Sequence, residues 1–235
     1  MARLKQDCQY KIRLMQDKDI PQVLDIDHEA FPTQWPHPTY STFKQELRNR
    51  MACYFVAYKP NDILSANTIE KPDKKSYKDR LQQLKSLLYN SPSLSDPLPP
   101  PSRDHIIGIA GFWIMAGEAH LTTIAVRNAC RQQGIGERLL ISVIDKGVSF
   151  NAEVVTLEVR VSNKEAQALY IKYGFSEVGL RHGYYSDNGE NAIIMTTDKI
   201  TTPSFQSHFK QLKQAYEQKW GYYAAFNQLS EGNYE

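Results

Sequence analysis

Residues Arg131–Phe150 read RQQGIGERLLISVIDKGVSF, a basic, glycine-punctuated turn running straight into a helix. Ile135, Leu139, Leu140, Val143 and Ile144 recur at helical spacing and mark one apolar face. Gly134 and Gly136 permit close backbone approach and positive φ. The helix start offers unpaired N–H groups and the positive end of its dipole, and Arg131 adds charge. The natural guest of such a turn is a phosphate or diphosphate. Two common phosphate loops are excluded. A dinucleotide fingerprint needs a third glycine where Leu139 stands, and a P-loop needs Gly-Lys-Ser/Thr where Gly136-Glu137-Arg138 stands. Short turns of this kind also occur with no ligand, so the turn alone does not name one.

The segments around it alternate between strand and helix patterns. Upstream, HIIGIAGFWIM and HLTTIAV read as two strands joined by AGEA. Downstream, EVVTLEVR reads as a strand, with Val155, Leu157 and Val159 on one face and Thr156, Glu158 and Arg160 on the other. SNKEAQALYIKYGF reads as a helix, with Ser162 as its cap, Glu165 completing a capping box and Gly174 ending it. ENAIIMTTDKI is a last strand, and the tail from Thr201 carries an amphipathic helix in FKQLKQAYEQKWGYYAAF. Toward the N-terminus, YKIRL and ACYFVAYK read as strands, and DKDIPQVLDIDHEAF and STFKQELRNR as helices. FPTQWPHPTY between those helices is irregular because of its prolines. The expected fold is mixed α/β, with antiparallel strands first and a strand–helix–strand–helix–strand run after them. The expected organisation is a domain over residues 10–199, interrupted by an insertion over 60–104, and a helical extension over 200–235. The insertion is lysine-rich and polar, and five of the chain's 12 prolines fall between Pro92 and Pro101. Its centre, KKSYKDRLQQLKSLLYN, has the leucine spacing of a helix.

Composition narrows the function classes. Lys+Arg 28 against Asp+Glu 26 gives a net charge of +2, which advertises neither nucleic acid nor membrane as a partner. Cys8, Cys53 and Cys130 are odd in number and lack metal-ligand spacing, the pattern of reduced thiols in a cytoplasmic protein. The six histidines show no metal spacing either, and each reads more simply as structural. No apolar stretch approaches the roughly 18 residues of a membrane span.

IAVRNACRQQGIGERLL carries Gln/Arg-x-x-Gly-x-Gly/Ala and is similar to the acyl-CoA motif of the GNAT N-acetyltransferase superfamily. TLEVRVSNKEAQALYIKYGF resembles the second half of that fold. Together with HGYYSD, NAIIM and DHEAFPTQWPHPTYSTF, it most resembles the RimI-type ribosomal-protein alanine N-acetyltransferases. The resemblance covers about 10–59 and 106–199. It implies a mixed, mostly antiparallel sheet flanked by helices and splayed between its fourth and fifth strands. It implies acetyl-CoA as co-substrate with no metal, held by Ile124, Ala125, Val126, Arg131, Gln132, Gln133, Gly134, Ile135, Gly136, Glu137 and Asn163. Glu137 is tolerable there if its side chain points away from the diphosphate.

The same resemblance makes Glu158 the base, Tyr170 the acid, and Phe31, Pro32, Tyr184 and Tyr185 the acceptor contacts. By pattern alone, Glu158 also reads as a solvated strand-face carboxylate, Tyr170 as a core aromatic and the tyrosine pair as surface packing. Partial desolvation between Leu157 and Val159 is expected to raise the Glu158 pKa. The implied acceptor is a protein N-terminus, the N-terminal alanine of ribosomal small-subunit protein eighteen. A monomer working by direct transfer is expected, with no direct nucleic-acid contact. A lysine or small-molecule amine is the alternative acceptor, and a non-catalytic acyl-CoA-binding module is the alternative class.

Overall fold

The computed structural model describes residues 10–33, 36–61 and 102–220. These form β1 (Lys11–Leu14), α1 (Ile20–Ala30), α2 (Tyr40–Glu46), β2 (Ala52–Lys59), β3 (His105–Met115) and β4 (Glu118–Val126). They continue with α3 (Ile135–Ser149), β5 (Val154–Arg160), α4 (Lys164–Lys172), β6 (Phe175–Tyr185), β7 (Glu190–Thr197) and α5 (Pro203–Trp220). All the strands join one sheet in the order β1-β2-β3-β4-β5-β7-β6. Every neighbouring pair is antiparallel except β4–β5.

Each face of the sheet carries its own core. On one, Leu139, Leu140, Val143 and Ile144 of α3 pack with Tyr170 and Tyr173 of α4 and Phe209 of α5 over Leu121, Val155 and Leu157. On the other, Ile20, Val23 and Ile26 of α1 and Phe43 of α2 pack over Val56, Ile106 and Ile109. The four α3 side chains are 0% exposed, so each contributes roughly 1.5–3 kcal/mol of burial. Truncating one, as in Leu139→Ala, would cost about 2–5 kcal/mol. The apolar face read from the sequence is therefore the face that holds α3 in place.

One irregularity in β4 shapes the molecule's function. Gly111 of β3 pairs with Thr123, but its neighbour Phe112 pairs with Leu121, so Thr122 is an extra residue, a bulge. The bulge inverts the facing of β4. Ala119 and Leu121 belong to the α3 side before it, Ile124 and Val126 belong to that side after it, and Ala125 joins the α1 side. A bulge also bends and twists its strand. Pairing of β4 with β5 runs from Glu118–Val154 to Leu121–Leu157 and stops there, at the bulge. Beyond that point Thr122–Val126 and Glu158–Arg160 diverge, and the sheet is splayed between its fourth and fifth strands.

Several local expectations need correction. Asn163, not Ser162, caps α4: its Oδ1 accepts from Ala166 N at 3.2 Å, while Ser162 N donates to Glu190. β6 is a strand that the sequence does not announce, because Ser176, Glu177, Arg181 and His182 and two glycines erase any alternation. It sits at the sheet edge, where neither face demands one. The C-terminal helix begins at Pro203, and its expected continuation past Trp220 lies outside the described residues. The helix expected within the insertion also lies outside them. Lys59 pairs directly with His105, so the two ends of the segment between β2 and β3 leave adjacent strands side by side.

Candidate active site

Glu158 is the first residue of β5 beyond the last β4 pair. Val155, Leu157 and Val159 face the α3 side, so strand alternation sends Glu158 to the α1 side of the gap. His120 of β4 lies on that face too, one residue before Leu121, and its Nε2 is 2.8 Å from Glu158 Oε2. Arg181 of β6 places Nε 3.0 Å from the other oxygen. The Glu158 side chain is only 7% exposed. Its carboxyl is nevertheless held below the usual range, chiefly by the His120 hydrogen bond and further by Arg181, with desolvation opposing them. The expected rise is thus corrected: two donors outweigh the burial that was to cause it.

Tyr170 of α4 lies in the core on the opposite face of the sheet. It is 5% exposed, packs against Phe175 with ring centroids 5.6 Å apart, and its hydroxyl has no hydrogen-bond partner among the described residues. Burial pushes its phenol well above the ordinary value. It therefore keeps its proton throughout the physiological range. Asn163 and Ala166 precede it on α4, though Asn163 Oδ1 is engaged in the cap.

The glycine turn divides its work unevenly. Gln132 and Gly134 hold positive φ, 59° and 76°, while Gly136 is helical. The first helical bond of α3 runs from Arg138 N to Gly134 O, leaving the N–H groups of Ile135, Gly136 and Glu137 without intrahelical acceptors. A Cβ on Gly136 would meet only Val126 Cγ2, at 3.8 Å, so its face is open. Arg131 Nε bonds to Val126 O at 3.3 Å. Glu137 turns away from this cradle and accepts from Tyr173 Oη and Lys172 Nζ. Open amides beside a gap in the sheet fit an elongated ligand with a diphosphate partway along it, the form of acetyl-CoA.

The expected acceptor contacts lie on the Glu158 face. Tyr184, 47% exposed, meets Tyr185 edge-on with centroids 5.1 Å apart. The Arg160 guanidinium stacks 3.8 Å from the Tyr185 ring centre and forms ion pairs with Asp187 and Glu190. Thr33, next to Phe31 and Pro32 in the α1–α2 loop, donates to Asp187. That bond joins the two loops flanking the gap. Sequence reading missed His120 and Arg181: neither carries a local motif, and sheet pairing alone brings them to Glu158. Among the described residues, no cluster of His, Cys, Asp and Glu could hold a metal, and no helix is long and apolar enough to cross a membrane.

Comparison with known proteins identifies the family and the fold. The sequence matches the acetyltransferase (GNAT) family over residues 70–175. It is 31% identical over 195 residues to an N-alpha-acetyltransferase of Sulfurisphaera tokodaii, covering 83% of this chain and 96% of that one. It is 42% identical over 84 residues to a ribosomal-protein-alanine N-acetyltransferase of Escherichia coli K12, covering 35% of this chain and 57% of that protein. A Bacillus subtilis protein provisionally given the same activity is 44% identical over 91 residues, 60% of its length. The chain thus spans less than two thirds of these two bacterial relatives. The crystal structure of the Escherichia coli ribosomal-protein-alanine N-acetyltransferase superposes with a TM-score of 0.55 at 23% identity, over 80% of this chain and 93% of that one, and so shares the fold.

Proposed function

This chain belongs to the acetyltransferase (GNAT) family, and on that premise we propose that it acetylates the α-amino group of a protein N-terminus. The proposed acceptor is the N-terminal alanine of ribosomal small-subunit protein eighteen, met in the cytoplasm by a monomeric enzyme. The observation that carries this reading is the gap between β4 and β5, with Glu158 and His120 on one face and Tyr170 on the other.

Acetyl-CoA, when bound, supplies an activated acetyl thioester. Its diphosphate fits the N–H groups of Ile135, Gly136 and Glu137, and the gap leads from there toward Tyr170. The acceptor enters between the Thr33 loop and the Tyr184–Tyr185 segment. An α-amine titrates near 8, so roughly a tenth is already neutral at pH 7. Glu158, held below the carboxylate range, is a poor base toward a whole ammonium ion. It is adequate for the proton that the amine nitrogen sheds as it attacks, while His120 Nε2–H donates to its other face and holds it in place. The Tyr170 phenol is a weaker acid than a thiol near 8.5, so it serves the leaving sulfur as a hydrogen-bond donor rather than by giving up its proton outright.

A peptide library varied at its first residues, incubated with acetyl-CoA and read by tandem mass spectrometry, tests this. Acetyl on the α-nitrogen of Ala-first peptides is expected. Acetyl confined to lysine, or on no peptide at all, would defeat the reading.

A further inference from the structure

Both Glu158 oxygens are occupied. His120 takes Oε2 at 2.8 Å, and Arg181 takes Oε1 at 3.0 Å. The Arg181 side chain is 52% exposed and that of Glu158 is 7% exposed, so the guanidinium covers the carboxylate from the solvent side. Arg181 sits on β6 opposite Ala192, and its guanidinium lies 5.7 Å from the Tyr184 ring centre, on the side expected to receive the acceptor.

The other groups facing Glu158 add no competing charge. Tyr184 and Tyr185 sense it, but both phenols are raised and neutral, Tyr185 to about 12. Arg160, two residues along the same face, is matched by Asp187 and Glu190. β7 presents Ile194 to Glu158.

We propose that Arg181 is a specificity-determining residue for the acceptor amine: by neutralising Glu158 it makes the site receive a neutral amine and not an ammonium. The inference rests on acetyl transfer to an amine, as proposed above. A lone carboxylate would attract an ammonium and hold its proton, raising the amine's pKa and delaying attack. A carboxylate matched by a guanidinium presents no net charge, so the amine keeps the acidity it has in water. The α-amine then keeps the neutral fraction it has in water, about 300-fold above that of lysine at one pH, and does not lose it to the site.

The test is steady-state kinetics on an Ala-first peptide with wild type, Arg181→Gln, Arg181→Met and Arg181→Lys, from about pH 6 to about pH 9. The two neutral variants should bind the ammonium form better, lowering the peptide KM about 5-fold at the acid end, the weight of one charge at about 4 Å in water-like surroundings. Their kcat should rise later, with its acid limb moved to higher pH. Arg181→Lys should restore both values. An unmoved acid limb with an unmoved KM would make Arg181 a plain surface ion pair and overturn the inference. So would an equal loss of rate at every pH, which would mean that Arg181 only positions Glu158. A wild type that acetylates no peptide fails the proposed function instead, so the two failures are separable.

Discussion

Gly134 and Gly136 stand two residues apart in one turn and answer to different constraints. Gly134 holds φ +76°, and a Cβ there would lie 2.6 Å from Trp220 Cε2. Gly136 has an ordinary helical backbone and an open face. Gly134→Ala should therefore lower the thermal midpoint, the left-handed conformation alone costing about 1–2 kcal/mol. Gly136→Ala should melt like wild type yet bind acetyl-CoA more weakly by calorimetry, because the added methyl stands where the diphosphate approaches. Tyr170→Phe removes only the hydroxyl. A lost hydrogen bond to a charged leaving group is worth about 1.5–3 kcal/mol, so kcat should fall about 10- to 100-fold with little change in the KM for acetyl-CoA. At this scale the sequence was partly legible. Alternation within TLEVR was enough to face Glu158 away from the core. His120 was not legible, because a histidine 38 residues from its partner meets it only through the parallel β4–β5 pairing.

The C-terminal helix and the β6–β7 hairpin are the elements whose roles composition did not reveal. α5 reaches back to the glycine turn: Tyr216 Oη donates to Gly134 O at 3.2 Å and lies 2.6 Å from Tyr10 Oη, and the Trp220 ring covers Gly134. Trp220→Ala should loosen that turn, raising the KM for acetyl-CoA several-fold while leaving the peptide KM unchanged; steady-state kinetics with each substrate varied separates the two. The sequence showed an amphipathic helix but not what it would dock against, since its aromatic stripe of Phe205, Phe209 and Tyr216 fits any apolar groove. β6 was illegible for a different reason: as an edge strand it needs no alternating pattern.

The hairpin's carboxylates predict an acid response. Asp187 is held below its usual value, first by Thr33 and then by Arg160, and Glu190 is held down to about 2, first by Ser162. Carboxylates depressed in the folded state stabilise it above their unfolded values, near 4, and that stability is lost as pH falls through the folded values. The melting temperature, followed by circular dichroism, should be flat above about pH 5 and decline below it. Glu190→Gln should make the decline shallower.

At the scale of the whole molecule, the long gap between β2 and β3 closes on itself, since Lys59 and His105 are paired neighbours. Replacing residues 62–101 with a short Gly/Ser linker should leave the fold and the rate on a free peptide within a few-fold, because added loop length costs little. Ser102 should be kept: its N–H donates to Lys18 O and its hydroxyl accepts from Asp104 N. Retained melting with retained activity checks this. The sheet order and the two cores follow from apolar patterns that the sequence displays openly. The splay was legible only through resemblance, because a single-residue bulge at Thr122 leaves no signature in TTIAV. Yet the bulge opens the sheet where Glu158 and His120 face one side and Tyr170 the other, the arrangement on which the proposed acetyl transfer depends. The pH–rate profile of Glu158→Gln on an Ala-first peptide tests it most directly. The expected result is a kcat lower by about 10²–10⁴-fold, an acetyl-CoA KM near wild type, and partial recovery as pH rises. Near-full activity at every pH would contradict it.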